Sequence, residues 1–207
     1  MDARDRLIES AQELLWERGY VGTSPGAVLK GSGVGQGSLY HHFTGKADLA
    51  LAAIERSAAQ LRALSETYFD GPGTPMERIS AWLLRNREVL RGCPIGRLAH
   101  DPEIVANPDL RRPVDETMAW LHGRVTEVLT EGQRLGEFEA AVPAADVAEA
   151  LIAALQGGYV LARAADSPDP FDRAIRGVLV MLASLGGSPR RGDRSDDSLT
   201  RDGGNAR

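Results

Sequence analysis

The chain has 207 residues, of which 43% are hydrophobic and 26% charged, and its formal net charge at pH 7 is -5. This length and balance are typical of a globular protein with one sizeable core, or with a small and a larger domain. The acidic balance gives no global sign of nucleic-acid binding, although a local basic surface would be sufficient for it. A single cysteine, Cys93, excludes an internal disulfide and any zinc site that needs two thiolates.

The sequence carries no sign of a membrane segment or of a secretion signal. No apolar run approaches about 20 residues, the length that spans a bilayer. Residues 1–5 lead directly into charged amphipathic sequence rather than into the apolar region of a signal peptide. We therefore expect a cytoplasmic protein without a membrane partner.

Helical periodicity organises the first part of the chain. Apolar residues recur at helical spacing over residues 4–18, and Gly19 is a suitable stop. A Thr-Ser-Pro sequence then predicts the start of a short helix over residues 24–30. A glycine-containing turn over residues 31–34 leads to a third short helix over residues 35–42.

The remainder of the chain is also predicted to be helical. Breaks rich in glycine and proline divide it into six helices, over about residues 46–69, 76–91, 95–106, 108–136, 144–165 and 171–185. Leu84 and Leu90 are expected to face inward in the second of these, and Pro113 implies a late start or a kink in the fourth. Beyond residue 186 apolar side chains are almost absent, which predicts a disordered tail over residues 187–207.

These patterns predict an all-α fold of about nine helices. Residues 1–45 would form an N-terminal three-helix domain that contains a helix-turn-helix. Residues 46–186 would form a larger helical domain. No strand and no internal repeat is predicted.

Residues 31–46, GSGVGQGSLYHHFTGK, contain four glycines at alternate positions, followed by two histidines. A dinucleotide-binding loop is excluded, because that fingerprint needs a preceding strand and here a helix precedes it. A Walker phosphate loop is excluded because Ala47 stands where serine or threonine must follow Gly-Lys. His41 and His42 are weak metal ligands, since neighbouring helical residues point about 100° apart. We expect no metal and no cofactor.

The remaining interpretation is a helix-turn-helix whose second short helix enters the major groove of DNA. Small residues at the leading end of that helix would let its backbone approach the groove. Gln36 is suited to an adenine edge, and Ser38 to a base or a phosphate. Tyr40 and His41 lie one turn further on and can donate to phosphates. Lys46, at the start of the next helix, can hold another phosphate.

Periodicity alone leaves open a small three-helix bundle without any role in DNA binding. The distribution of charge favours DNA binding. All five acidic residues of the first 46 positions lie before residue 18, whereas residues 19–46 carry only two lysines and two histidines. A basic surface would therefore coincide with the predicted reading face.

Residues 7–49 resemble the DNA-binding domain of the TetR family of bacterial repressors. The matching strings are AQELLWERGY, GTS and GVGQGSLYHHFTGKADL. The resemblance implies a homodimer, in which residues 46–186 form a domain for ligand binding and dimerisation. Together with the pattern of capping and small residues, it predicts DNA contacts at Thr23, Ser24, Gly35, Gln36, Gly37, Ser38, Tyr40, His41 and Lys46.

The string RGCPIGRLAHD, residues 91–101, resembles the ligand domain of the LmrA/YxaF-like branch of that family, which controls multidrug-efflux genes. This resemblance implies a small hydrophobic or drug-like effector. The candidate contacts are the large side chains and neighbouring groups of the middle helices: Trp82, Leu83, Arg87, Leu90, Cys93, Leu98, Trp120, Leu121, Val125 and Tyr159. Each could instead be ordinary core, and Cys93 could be a small buried side chain or a site of oxidation.

The last two helices are the candidate homodimer interface. Their alanines allow close helix approach, and their apolar area comes from Val147, Leu151, Leu155, Ile175, Val178, Leu179 and Leu182. Two copies would form a four-helix interface, although these residues could also be core. In such a dimer the two recognition helices would lie about 34 Å apart, to enter successive major grooves of a near-palindromic operator. Gly157 and Gly158 would mark a kink or a close contact.

The sequence thus predicts a ligand-responsive DNA-binding transcriptional regulator. The simplest form is a repressor whose affinity for double-stranded operator DNA falls when the effector binds. One alternative is a helical oligomeric enzyme or carrier that uses the C-terminal pocket, although no triad, carboxylate pair or metal cluster supplies catalytic residues. Another is an interaction module with a vestigial helix-turn-helix.

Overall fold

The computed structural model describes residues 1–186, so the predicted tail over residues 187–207 lies outside the described range. The all-α prediction is confirmed. In the described range, helical structure consists of a short 3-10 helix, Gly96–His100, and nine α-helices: α1 (Ala3–Arg18), α2 (Pro25–Ser32), α3 (Gln36–His42), α4 (Lys46–Phe69), α5 (Pro75–Leu84), α6 (Pro102–Ala106), α7 (Pro108–Leu135), α8 (Ala144–Ala165) and α9 (Asp169–Ser184). The β pairing found in that range is one isolated antiparallel bridge between Phe138 and Gly186.

Local sequence sets the helix ends in the N-terminal domain. The side chain of Asp2 caps α1 at its start, and Gly19 ends it with a φ of 74°. Ser24 caps α2 as predicted. This helix runs two residues beyond its predicted end, because Gly33, with a φ of 64°, adopts the left-handed conformation that Gly31 does not.

A continuous hydrophobic core joins the helices. α1 packs against α2, α3 and α4, and α4 also packs against α7. α7 in turn packs against α8, and α8 against α9. Since α4 contacts both the N-terminal helices and α7, the domain boundary after residue 45 stays a prediction. The largest fully buried side chains lie on both sides of that boundary: Leu7, Ile8, Leu39, Ile54, Phe69, Ile79, Trp82, Leu83, Ile95, Leu98, Ile104 and Leu110.

The prediction for α5 was wrong at its C-terminal end, because the helix stops at Leu84 instead of continuing to residue 91. The guanidinium groups of Arg85 and Arg87 donate to the carbonyl of Trp82, at 3.2 and 2.6 Å. They thereby use an acceptor that a further turn of helix would have bonded. Leu84 and Leu90 do not face inward, since they are 61% and 42% exposed.

Residues 95–106 were predicted as one helix, but they form the 3-10 helix followed by α6. Pro102 begins α6 rather than interrupting a helix, because the first helical position needs no backbone donor. Asp101 stands between the two and caps α6, accepting from the backbone N–H groups of Glu103 and Ile104 at 3.1 and 3.4 Å.

Pro113 neither delays nor breaks α7, which runs from residue 108 without interruption. Its ring removes one backbone hydrogen bond from a helix of 28 residues. Leu110 and Val114 are buried on either side of it, so packing of this helix face offsets the loss. The carbonyl of Pro113 also accepts from the hydroxyl of Thr117 at 2.6 Å.

By length and composition alone, α8 is apolar enough to cross a membrane, contrary to our expectation from apolar run length. This is weak evidence, because core helices of soluble proteins pass the same test. The helix packs here between α7 and α9. It is continuous through its two glycines. Gly158 is buried, and a Cβ there would lie 3.0 Å from the ring of Phe171, whereas Gly157 faces open space.

Most of the apolar residues predicted for a dimer interface are buried inside the subunit instead. Five of them belong to the core: Leu151, Leu155, Ile175, Val178 and Leu182. The exposed side chains of α8 and α9 lie on the sides of the two helices that face away from this core. We call these the outer α8–α9 face, formed by Ala150, Ala153, Gly157, Val160, Leu161, Val180 and Met181.

A single carboxylate ties the N-terminal domain to the rest of the chain. Besides capping α6 with one oxygen, Asp101 accepts with the other from the backbone N–H groups of Tyr20 and Val21, at 2.7 and 3.0 Å. Those two residues form the turn after α1. Asp101 is itself buried, so these N–H groups depend on it for a partner.

We expect Asp101→Ala to lower the free energy of unfolding by about 2–4 kcal/mol, since it removes a helix cap and leaves a buried donor unpaired. Urea denaturation followed by circular dichroism measures this. Glu103→Gln, which changes an exposed acid in the same helix, is the matched control and should cost less than about 0.5 kcal/mol. Equal losses in the two variants would contradict the role of Asp101.

Candidate DNA-binding surface and effector cavity

The recognition helix α3 presents the predicted DNA-binding side chains to solvent. Leu39 faces inward and is buried, Val34 and Phe43 at the two ends of the helix are buried as well, and α3 packs against α1. The opposite side of α3 is therefore exposed. It carries Gln36, Gly37, Tyr40 and His41, with Ser38 half-buried.

Neither the backbone conformation nor the packing within the subunit requires glycine at Gly35 or Gly37. Gly35 caps α3 with ordinary extended backbone, and Gly37 lies within the helix. A Cβ added at either position would meet nothing within 4 Å. Glycine weakens a helix by about 1 kcal/mol relative to alanine. This loss of helix stability has a physical reason if the surface of DNA must approach the backbone of α3 closely.

Thr23 and Ser24 serve the fold of the domain itself. The hydroxyl of Thr23 is buried and donates to the carbonyl of Gly19 at 2.7 Å, so this side chain is not displayed to a ligand. Ser24 is exposed, and its oxygen accepts from the backbone of Ala27 at 3.2 Å. Sequence reasoning grouped both residues with the reading helix, because a sequence does not show where a hydroxyl is already bonded.

Lys46 begins α4 beside the recognition helix. Its ammonium group lies 4.0 Å from the centre of the Tyr20 ring, a cation–π contact that holds the charge near the surface. Arg4 of α1 lies 5.4 Å from the ring of Phe43, so a second cation stands near the C-terminal end of α3. Sequence reasoning missed Arg4, because only the packing of α1 against α3 brings it there.

A cavity of about 590 Å³ lies between the N-terminal domain and the body of the protein. Its walls come from α1, α4, Tyr159 of α8 and the segment after α5. The lining residues are Glu9, Gln12, Glu13, Leu15, Trp16, Ile54, Ser57, Gln60, Leu61, Leu64, Arg85, Asn86, Arg87, Glu88, Gly92, Cys93, Pro94, Leu98 and Tyr159. A volume of this size suits a small organic ligand.

The cavity brings together four of the ten predicted effector contacts, namely Arg87, Cys93, Leu98 and Tyr159. The other six do not line it: Trp82, Leu83, Leu90, Trp120, Leu121 and Val125. Four of these are buried in the core, whereas Leu90 is exposed and Trp120 is partly buried. Large apolar side chains at helical spacing are core by default, and only the fold shows which of them border empty space.

The segment after α5 also holds the N-terminal domain in place. The indole N–H of Trp16 donates to the carbonyl of Gly92 at 3.0 Å. The guanidinium of Arg91 lies 3.6 Å from the centre of the Trp16 ring and 2.7 Å from the carboxylate of Glu13. Arg97 donates to the carbonyl of Trp16. A change in this segment would therefore reach α1 directly.

Comparison with known proteins gives two family matches along the chain. Residues 7–53 match the family described as bacterial regulatory proteins, tetR family. Residues 75–178 match the family described as tetracyclin repressor-like, C-terminal domain. The two matches fall on the helix-turn-helix part and on the larger helical part of the fold.

Individual relatives agree with these matches. The chain is 31% identical to the transcriptional regulator AcuR of Cereibacter sphaeroides, over 81% of this chain and 80% of that protein. It is 30% identical to the HTH-type transcriptional regulator YxaF of Bacillus subtilis, over 52% of this chain and 60% of that protein. Among solved structures, the regulatory protein TetR from Rhodobacter sphaeroides has 30% identity and a TM-score of 0.78, covering 86% of this chain and 97% of its own.

We expect Gly37→Ala to raise the free energy of unfolding by up to about 1 kcal/mol while lowering affinity for DNA by about tenfold. The added methyl group favours the helix but occupies space that a DNA surface would need. Thermal denaturation measures the first effect. Fluorescence anisotropy with duplex DNA at fixed salt measures the second.

Gly123→Ala in α7 is the matched control, because a Cβ there also meets nothing within 4 Å. It should stabilise the fold similarly and leave the affinity for DNA unchanged. If Gly37→Ala binds DNA as well as the unmodified chain does, close approach at this glycine is refuted.

Proposed function

The chain belongs to the TetR family of bacterial transcriptional regulators, and we propose that it is a repressor whose operator affinity falls when a small molecule fills the cavity beside α1. Members of this family bind operator DNA and dimerise. As a member, the chain is a DNA-binding regulator and not an enzyme, so the enzyme alternative is not retained. Acting on chromosomal DNA would place it in the cytoplasm.

The observation that carries the proposal is the shared wall of the cavity. Residues of α1, including Leu15 and Trp16, line it together with residues of the larger domain such as Leu98 and Tyr159. α1 also supports the recognition helix, since the two helices pack directly against each other. A ligand that pushes on this wall would therefore move the helix that positions the reading surface.

Two packed domains with a ligand between them can act as a two-state element. In the repressing state the contacts of Trp16 with Gly92 and of Asp101 with the turn after α1 would fix the domains. A ligand that binds better to a second arrangement shifts the population toward it, and operator affinity falls by the coupling free energy, typically about 1–3 kcal/mol.

We assign DNA contact within this proposal to the exposed side of α3 and to the start of α4. Gln36 would read a base edge, and Ser38, Tyr40 and His41 would hold phosphates and neighbouring groups. Lys46 would hold a further phosphate at the N-terminus of α4. Gly35 and Gly37 would allow the backbone of α3 to approach the groove. Thr23 and Ser24 would act by shaping the turn before α2.

The outer α8–α9 face is the proposed homodimer interface. It is a surface with large exposed apolar side chains, including Val160, Leu161, Val180 and Met181. Small residues at Ala153 and Gly157 would let two copies of α8 come close. Pairing α8 and α9 of two subunits gives a four-helix interface with two-fold symmetry, which requires a near-palindromic operator.

The genes under control would be those that export or transform the effector. The match to YxaF is consistent with the branch suggested by RGCPIGRLAHD, and efflux control is part of the proposal on that ground. The apolar part of the cavity wall supports an effector with substantial hydrophobic surface.

A footprint of the purified protein on the DNA upstream of its own gene, at physiological salt, tests the regulatory role. We expect a protected near-palindrome and a loss of affinity of about five- to tenfold for Tyr40→Ala, since one phosphate contact is worth about 1 kcal/mol. Tyr40 is 58% exposed, so the fold should be unaffected.

Leu135→Ala, at an exposed position at the end of α7, is the control and should protect the same DNA equally well. Protection that Tyr40→Ala does not weaken would exclude the assigned reading face. If the upstream DNA is not protected, the same protein should be used to select binding sites from genomic fragments. Absence of any selected site would refute the regulatory role.

We expect Val160→Asp to shift the protein from dimer to monomer, because it places a charge in an apolar interface. Sedimentation equilibrium measures the mass in solution. Leu135→Asp is the control, because it introduces the same charge at an exposed position outside the outer α8–α9 face. This variant should remain dimeric. A dimer that survives Val160→Asp would place the interface elsewhere.

A further inference from the structure

Two arginines stand side by side on the wall of the cavity. Arg85 and Arg87 lie in the extended segment after α5, and both line the cavity together with Cys93 and Tyr159. The hydrogen bond that each guanidinium makes is to the same acceptor, the carbonyl of Trp82. Nε and Nη1 of Arg87 are shielded from solvent and have no hydrogen-bond partner among residues 1–186.

Neither arginine has an acidic partner. Among residues 1–186, no carboxylate oxygen lies within 4.0 Å of Arg85 or Arg87. Two other partly buried arginines of this chain are paired with acids. The guanidinium of Arg78 lies 2.5 Å from Glu131, and that of Arg124 lies 2.6 Å from Asp70. Arg62 and Arg97 also lack an acid in that range, so what distinguishes this wall is that two such arginines lie side by side.

The acids that do line the cavity are engaged elsewhere or lie on α1. Glu13 and Glu88 both pair with Arg91, at 2.7 and 3.2 Å. Glu9 lies on α1 and is exposed. Asp172 lines a second cavity of about 290 Å³, which Arg85, Arg87 and Arg176 also border, but it is not among the ion-pair partners of Arg85 or Arg87.

Burial makes this arrangement costly for the ligand-free protein. Desolvation lowers the pKa of Arg85 to about 10, and the charge of Arg87 beside it adds to the effect. Desolvation likewise lowers the pKa of Arg87. Two like charges thus share a shielded site where their partners are the carbonyl of Trp82 and two aromatic rings rather than a carboxylate. An anion placed between them would remove that cost.

On the side of α4 the wall has three apolar residues and two polar ones, Ser57 and Gln60, which already accept from Gln12 of α1. Ile54, Leu61 and Leu64 lie there, with Trp16 and Leu98 nearby. A ligand that complements both parts of the cavity would therefore have an acidic group at the arginines and a hydrophobic body along α4. The planar guanidinium group is suited to carboxylates, because its N–H groups can pair with both oxygens.

We propose that the effector is an organic carboxylic acid whose carboxylate binds between Arg85 and Arg87 while its apolar body lies against α4. This assignment rests on the proposed ligand-responsive function and narrows its effector from a hydrophobic molecule to an anionic amphiphile. It also gives Arg85, which sequence reasoning did not select, a direct part in recognition.

Calorimetry with the full chain at pH 7.5 tests the proposal, using carboxylates and their matched primary amides. The probes are butanoate, octanoate, dodecanoate and 4-phenylbutanoate, each with its amide, so that only the charge of the head group differs within a pair. At least one acid should bind about tenfold or more tightly than its amide. No saturable binding of any acid, or equal binding of acid and amide in every pair, would overturn the proposal.

Substitutions then locate the charge. Arg85→Gln and Arg87→Gln should each weaken the acid by about tenfold and leave its amide unchanged. Arg112→Gln, at an exposed arginine outside the cavity, should change neither. If a glutamine variant fails to fold, the lysine variants Arg85→Lys and Arg87→Lys replace it. They keep the charge and should retain part of the preference for the acid. A preference that both Arg85→Gln and Arg87→Gln retain in full would also overturn the assignment.

Repeating the titration with operator-bound protein separates this proposal from the proposed function. If the acid binds through the two arginines but leaves operator affinity unchanged, the anion site stands and ligand-controlled repression fails. If acid and amide release the operator equally well, repression stands and the anion site fails.

Discussion

The position of the DNA-reading domain depends on the buried carboxylate of Asp101. Its two oxygens bind separate parts of the chain, the turn after α1 and the first residues of α6. A buried backbone N–H that loses its partner is costly, so neither segment can move away without replacing that contact. Gly19 belongs to the same junction, since its positive φ allows the chain to turn where a Cβ would lie 3.0 Å from Asp101.

This junction gives the proposed regulation a physical route from the cavity to the reading surface. α1 is at once a wall of the cavity, a support for α3 and a partner of the segment around Gly92. The contacts of Trp16 and Arg91 with that segment lie beside the two unpaired arginines. Charge at Arg85 and Arg87 is thus placed within a few residues of the contacts that hold the reading domain. A packed interface of this kind is more easily bistable than continuously deformable.

Glycine and arginine are used for different purposes at different places in this chain. Gly158 is required by packing against Phe171, and Gly33 by its backbone conformation, whereas Gly35 and Gly37 satisfy neither need. Likewise Arg78, Arg91 and Arg124 complete ion pairs, but Arg85 and Arg87 remain without acids. Gly35 and Gly37 lie at the proposed reading surface, and Arg85 and Arg87, which also bond the carbonyl of Trp82 at the end of α5, lie at the proposed anion site. Natural proteins commonly accept such costs where they bind a partner.

Local signals in the sequence were sufficient for the helices of the reading domain, the start of α4 and the exposed side of α3, because caps, glycine stops and helical periodicity act over a few residues. The family followed from the string around α3. Tertiary structure alone decided the early end of α5, where arginines bond the carbonyl of Trp82, and the continuity of α7 through Pro113, where packing outweighs a lost hydrogen bond. It also decided which large side chains border the cavity and which face of α8 and α9 is free. Those outcomes depend on contacts between residues far apart in the chain, and periodicity shows only that a side chain is buried, not what lies beside it.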